Sequence, residues 1–482
     1  MRTALMLGRF SRSLSTAASS ADVPRVLSAM IRGGLLCADV HGLTPSTDRV
    51  AAVAARSSQK CAVIYDGDAL DSAFKGVQSS FPTNFIHALA IKSAPLGFIV
   101  RSAIDHNLGI EAASFGEAAS ALRNGCARDR ILFDSPAKTM DELRWALEAG
   151  LTINADSLEE LERLDVVIGT LDTPSSSTVG LRINPLLAGG AIDIFAVSKP
   201  DSKFGHPLHN EASREAVHRA FARYPWLSAL HSHVGSAGTS LTMLAQGAQT
   251  LARLADEVDA RAGSARITAL DIGGGLHSSL ESDAVAPSFG EYEAALRRDA
   301  PELFGGERRR VVYTEFGRAL LAKVGWIAAQ VEYVKIVPTP VDGAPEGTAA
   351  RIATCHAGAD IMMRQCYNPD LASNQNRLSA YNARGEPIGD ARGPPLLQHV
   401  AGPLCFAGDY PRKSVSLPPL EAGDWIVFHD TGANSLALWS RHCSRLVPPV
   451  YSYARDISAP DGLAVKMRKA PEPLERLLDF WE

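Results

Sequence analysis

From Phe81 to Leu164 the chain alternates short apolar runs with amphipathic helical stretches, separated by turns of only a few residues. The first run, F-I-H-A-L-A-I, carries Ala88 and Ala90 with the β-branched Ile86 and Ile91, and Pro95 closes it. Later runs are I-L-F-D (Ile131–Asp134) and L-T-I-N (Leu151–Asn154); helical periodicity fills Met140–Ala149 and Ser157–Leu164. Strands of this length joined by helices predict βαβ units and a parallel sheet. Ser157, with Glu160 three residues on, predicts a capping box at the last helix.

Lys92 stands at the end of the first run. An ammonium buried without a partner is costly. Either the lysine has a depressed pKa and becomes a nucleophilic amine able to form a Schiff base, or it snorkels from the strand end into solvent. Taken alone, the stretch favours the solvent-directed lysine.

At 482 residues the chain exceeds one ordinary domain and fits a barrel with a second domain. The expected division is a leader or disordered tail over 1–20, an N-terminal segment over 21–70 that joins the second domain, a barrel over 71–328, and a β domain over 329–482. A formal net charge of −5 points to neither nucleic acid nor an anionic membrane as partner. No apolar run approaches bilayer length. Seven cysteines lie scattered with no C-x-x-C pair, which argues against a zinc site or a disulfide framework and suits a reducing compartment. The first twenty residues hold three arginines, five serines and no acid. That composition reads as an organellar transit peptide, mitochondrial or plastid.

Beyond Leu164 come V-G-L-R-I-N-P (Val179–Pro185), S-K-F-G (Ser202–Gly205) and L-S-A-L-H-S-H-V-G-S-A-G (Leu227–Gly238). His231 and His233 alternate onto one side of their strand. Two histidines so spaced could serve a metal, but no acid or cysteine stands nearby to complete a set, so no metal site is expected. A-L-D-I-G-G-G-L (Ala269–Leu276) follows an apolar run with three glycines, the kind of turn whose backbone N–H groups receive a phosphate. V-V-Y-T-E-F-G-R-A-L (Val311–Leu320) ends a strand with Glu315, Gly317 and Arg318. After Gly325 helical periodicity fades, and strands at Ile327–Val337, Arg351–Thr354 and Trp425–His429 between Pro- and Gly-rich turns predict an antiparallel β domain.

These segments resemble the diaminopimelate decarboxylases and their ornithine and arginine decarboxylase relatives. Family motifs Y-A-x-K-A-N-P, D-x-x-S-x-G-E and N-x-x-S-x-x-E-L appear here as L-A-I-K-S-A-P, E-A-A-S-F-G-E and N-A-D-S-L-E-E-L. R-I-N-P, S-K-F-G, H-V-G-S, G-G-G and E-F-G-R follow in family order, so the likeness runs from about Cys61 to Cys443. It implies a (β/α)8 barrel with a C-terminal β-sandwich or barrel domain, a pyridoxal 5'-phosphate (PLP) cofactor, and decarboxylation of an amino acid. Lys92 would carry PLP, His233 would lie against its ring, and Glu315 would pair with the pyridine nitrogen. Ser236, Gly273, Gly274, Gly275, Gly317 and Arg318 would serve the phosphate, with Arg318 also near substrate. A carboxylate at the nitrogen favours a protonated, electron-withdrawing ring. Alanine racemases share this barrel but place an arginine there, so Glu315 favours decarboxylation.

The resemblance extends to A-G-A-D-I-M-M-R, in which Arg364 would meet the substrate carboxylate, with Tyr367 displaced by one position from the family's tyrosine. It extends also to G-P-L-C-F-A-G-D, in which Cys405 would reach a neighbouring subunit's site as proton donor. That role implies a homodimer with shared active sites. Departures cluster at the substrate end. The family's acid after the cysteine, which binds a distal ammonium, is Phe406, and the tyrosine of G-A-Y is Asn434. Leu89, Ala94 and Phe316 replace the tyrosine, asparagine and proline of the other motifs. A phenyl ring pairs poorly with an ammonium, so the expected substrate lacks one. The rival readings are a diaminopimelate or diamine decarboxylase proper, a racemase on the same barrel, and a regulator without catalysis.

Overall fold

The computed structural model describes residues 20–39, 48–187, 198–236, 238–305, 310–338, 349–371, 374–459 and 461–482. The transit-peptide-like segment lies outside the described residues, apart from Ser20. Strand β1 (Cys61–Asp66) precedes the barrel strands β2 (Phe85–Ala90), β3 (Gly109–Ala112), β4 (Ile131–Phe133), β5 (Thr152–Ala155) and β6 (Val179–Asn184). After the short β7 (His206–Pro207), β8 (Leu227–His231), β9 (Ala269–Asp271) and β10 (Val311–Phe316) complete the barrel. Hydrogen bonding runs β5-β4-β3-β2-β10-β9-β8-β6, and β6 pairs with β5 to close it. Every pairing in that circle is parallel.

Parallel strands need crossovers, and helices supply them on the outer face. Barrel strands are therefore covered on both sides and read as nearly continuous apolar runs, as Ile110, Ile131, Phe133, Ile153 and Leu181 do. Three successive strand-to-helix turns share one device. Ser114, Thr139 and Ser157 cap their helices by accepting from the backbone N–H of Glu117, Glu142 and Glu160. The expected box at Ser157 is modified: Glu160 accepts from Asp156 N at 3.0 Å, one residue further back, and also from Lys138 Nζ at 2.7 Å.

The second sheet contains β1, β11 (Gly325–Val337), β12 (Ala350–Cys355), β13 (Leu378–Tyr381), β14 (Leu396–Ala401), β15 (Arg412–Leu417), β16 (Trp425–Phe428), β17 (Val450–Arg455) and β18 (Leu463–Lys469). It is mixed rather than antiparallel throughout: β1 runs parallel to β17, and β12 to β14. The whole barrel intervenes between β1 and β17, so hairpin logic does not apply to them. In β1 the period of two assigns alternate residues to different cores. Cys61, Val63 and Tyr65 join the core shared with the barrel, while Ala62 and Ile64 pack with Val26, Leu27 and Met30 of the helix Val23–Arg32. Each of the larger side chains buried there contributes about 1.5–3 kcal/mol.

Two hydrogen bonds hold residues 432–434 of this sheet domain, the first to β1 and the second to the barrel mouth. Tyr65 Oη donates to Gly432 O at 2.9 Å, and Asn434 N donates to Ser93 O at 2.8 Å. The second bond holds the turn that bears Lys92. No helix among the described residues is long and apolar enough to cross a membrane.

Candidate active site

The C-terminal ends of the barrel strands each deliver a polar side chain to one place, where barrels of this kind carry their chemistry. Lys92 sits in a 3-10 turn, Ile91–Ser93, after β2. Glu111 projects from β3, Asp134 follows β4, Arg182 lies in β6, His231 and Asp271 end β8 and β9, and Glu315 is the last residue but one of β10. A cavity of about 230 Å³ opens above them. Lys92, His233, Ser236, Gly275, Glu315, Gly317, Arg318, Arg364 and Asn434 line it, so most of the residues singled out from the sequence converge. A larger cleft of about 480 Å³ beside the helix Arg49–Ser58 shares none of these residues. Convergent charge, more than volume, marks the site.

Lys92 is neither the depressed amine nor the freely solvated lysine of the sequence reading. Its side chain is half exposed into the cavity, yet Nζ donates to Glu111 Oε1 at 2.5 Å. Burial opposes the ammonium, but Glu111, Asp134 and Glu315 together outweigh it and raise the pKa. The depressed-pKa alternative is thus ruled out and the solvent-directed one is modified, because other strands bring carboxylates to the amine.

Burial, followed by Asp134, raises Glu315 to about 7. Its Oε1 is buried with no hydrogen-bond partner. His231 Nε2 lies 3.5 Å from that oxygen, and His233 Nδ1 lies 3.6 Å from Oε2. Neither contact is an ion pair, since burial and Arg182 hold His233 down to about 3 and His231 well below its usual range. Gly274 N donates to His233 Nδ1 at 3.0 Å, so the neutral ring carries its proton on Nε2.

Asp134, His231 and Glu315 bring one potential ligand atom each within 4.8 Å of one another. Acids therefore do stand beside His231 in space, contrary to what sequence proximity indicated. Burial acts to raise the pKa of Asp134, but Lys92, a hydrogen bond with Glu111, and Arg182 hold it low. Cations of the chain already compensate that carboxylate, and the cluster is a charge network around Lys92.

The glycine triplet is demanded by close approach. A Cβ on Gly274 would lie 1.9 Å from Glu315 O, and one on Gly275 2.1 Å from Gly235 O. Gly273 adopts φ +66° and Gly275 φ +98°, both left-handed. Opposite, burial and then the neighbouring Arg364 push Arg318 down to about 10. Two guanidinium groups converging in a buried cavity are relieved by an anion. Asn434 takes a left-handed φ of +56°.

Tyr367, Cys405 and Phe406 do not line the cavity. Tyr367 stacks on Phe406 with ring centroids 4.9 Å apart, and Cys405 is exposed. Asp409 fixes their platform: its carboxylate accepts from Ala359 N and Leu404 N, both at 2.6 Å. A Cβ on Gly402 would come within 2.4 Å of the same carboxylate. The short helix Met363–Tyr367 on this platform carries Arg364 to the cavity.

Sequence reasoning missed Glu111, Asp134, Arg182 and Asp271. Their signal was available: each is a charged residue at the end of, or inside, an otherwise apolar strand, where burial demands a partner.

Residues 68–322 match the family model described as pyridoxal-dependent decarboxylase, pyridoxal binding domain. The chain belongs to this family. It is 28% identical to the diaminopimelate decarboxylase of Zymomonas mobilis over 413 residues, 85% of this chain and 87% of that protein. It is 30% identical to the Pseudomonas aeruginosa diaminopimelate decarboxylase over 344 residues, covering 70% and 74%. Helicobacter pylori diaminopimelate decarboxylase complexed with L-lysine superposes with a TM-score of 0.72 at 21% identity, covering 87% of this chain and 96% of that one. The protein is a PLP-dependent carboxy-lyase related to these decarboxylases.

The residues present fit that cofactor. The donor-less Glu315 Oε1 suits a protonated ring nitrogen, and the converging Arg318 and Arg364 suit anions.

Proposed function

We propose that this decarboxylase acts on an amino acid whose side chain lacks a terminal ammonium. The observation that carries the reading is Phe406, which stands where the resembling enzymes have an acid and stacks on Tyr367. An ammonium brought against that ring pair would lose its hydration for a modest cation–π attraction. An apolar or aromatic side chain would lose nothing.

PLP, when bound, supplies an electron sink for the charge left on the substrate α-carbon as CO₂ departs. The chain's own residues would do the rest. The Lys92 amine would hold the cofactor, and Ser236, Gly273, Gly274, Gly275, Gly317 and Arg318 would bind its phosphate. His233, neutral and fixed by Gly274, would cover one ring face and keep solvent protons away. Glu315 would accept from the ring nitrogen, and that cationic partner would favour its ionised form. Arg364 would orient a substrate carboxylate, and the Asn434 amide would bond where the family's tyrosine does. Cys405, exposed and outside its own chain's cavity, suits a proton donor to the site of a second copy.

A second reading has support of its own: the relatives aligned over most of this chain are named diaminopimelate decarboxylases. The variant Phe406→Glu separates the two. On the primary reading it raises kcat/KM for meso-diaminopimelate and lowers it for neutral amino acids. Robust wild-type turnover of meso-diaminopimelate, lost in Phe406→Glu, would favour the second reading.

A further inference from the structure

Glu111, Asp134, Asp271 and Glu315 are all buried at the barrel mouth. Lys92 and Arg182 face them, and Arg182 is also paired with Asp156 at 3.3 Å. These acids meet in two pairs, Asp271 with Glu315 and Glu111 with Asp134. Strands β3 and β4 pair side by side, and Asp134 N donates to Ala112 O at 3.1 Å, so Glu111 and Asp134 meet carboxyl to carboxyl. Glu111 spends Oε1 on Lys92 Nζ at 2.5 Å, leaving its Oε2 and Asp134 Oδ1 without a donor from any other residue. Two ionised carboxylates repel and offer no hydrogen to share. One proton between them satisfies both orphaned oxygens and leaves the pair a single negative charge, matching the one ammonium it faces.

We propose that Glu111 and Asp134 share one proton at neutral pH and serve as the proton store for the Lys92 amine. The surrounding charges agree. Burial, then Asp134, raises Glu111, while Lys92 and Arg182 favour an ionised Asp134. Glu315 from β10 raises Glu111 further when ionised, which favours keeping a proton in the pair; Glu117 from the helix Phe115–Arg123 and Asp271 from β9 are raised by burial too.

The store rests on the role proposed for Lys92 above. Before its nitrogen can bond to a carbonyl carbon, Lys92 must lose a proton. Nζ gives it to Glu111 Oε1 while the proton held by Glu111 passes to Asp134. A neutral amine and two neutral carboxyls result. The reverse transfer restores the ammonium when Lys92 is released. No electrons are gained or lost, and total charge is unchanged at zero. Glu111 is the group that touches Lys92; Asp134 is a positioning residue that acts through it.

Infrared spectroscopy of the full-length protein tests the pair directly. The wild type should show a protonated-carboxyl stretch at neutral pH that disappears in both Glu111→Gln and Asp134→Asn, because the acid left in each ionises beside Lys92. The double variant, whose two amides keep a hydrogen bond, controls for folding and should also lack the band. In the holoenzyme, Asp134→Asn should shift the pH dependence of the cofactor's visible absorbance without abolishing it. A wild-type spectrum with no carboxyl band that these substitutions remove overturns the proposal, even if the variants are less stable. The band reports the pair whether or not Lys92 carries the cofactor. Borohydride reduction followed by peptide mapping reports Lys92 itself, so the two readings fail separately.

Discussion

The backbone N–H of Gly274 donates to Nδ1 of His233 at 3.0 Å. A turn built from glycines therefore sets the tautomer of the imidazole over the cavity. In His233→Phe the flat ring is kept but the acceptor is lost, and the Gly274 N–H is left buried and unmatched. The expected cost is about 1–3 kcal/mol in denaturant unfolding. Unchanged stability would mean the hydrogen bond carries little.

Gly274→Ala should be worse than an ordinary overpacking substitution. The new Cβ would fall 1.9 Å from Glu315 O, a backbone atom with no flexible end to yield. Overpacking typically costs about 1–3 kcal/mol, and displacement of Glu315 should also weaken the cofactor's visible absorbance. Gly290→Ala is the control: it lies in the helix Phe289–Asp299 with nothing within 4 Å of its Cβ position. It should raise stability by roughly 0.5–1 kcal/mol. Thermal melts of both variants check the pair.

Glu315 makes a signed prediction about pH. Its carboxyl rises from 4.5 to about 7 on folding, so between those values the folded apoprotein binds more protons there than the unfolded chain. Stability must then fall as pH rises through that window. Glu315→Gln removes the titration and should flatten the decline. Denaturant midpoints of the apoprotein at pH 5 and pH 7.5 would show it; an equal slope in the variant would contradict it.

The barrel is legible in the sequence because three successive βα turns repeat one local signal, a capping serine or threonine before an acid three residues on. Ser114, Thr139 and Ser157 all behave so. Lys92, His233, Glu315 and the glycines are legible because their motifs keep order. What the sequence withholds is charge state. Lys92 looks like an isolated cation at a strand end, and only closure of the barrel brings Glu111, Asp134 and Glu315 around it. The place of β1 between β11 and β17 is hidden for the same reason: its partners lie hundreds of residues away. The position of Cys405 and Phe406 outside the cavity depends on the Asp409 platform, which joins two segments far apart in the chain.

The most direct test of the substrate proposal is mass spectrometry of an amino-acid panel incubated with the protein and PLP. The panel should contain D- and L-forms, meso-diaminopimelate, and basic, aromatic and sulfur-containing members. A product lighter by one CO₂, formed fastest from a member without a terminal ammonium, is the predicted result. Lysine formed from meso-diaminopimelate faster than any neutral amino acid is consumed would contradict it.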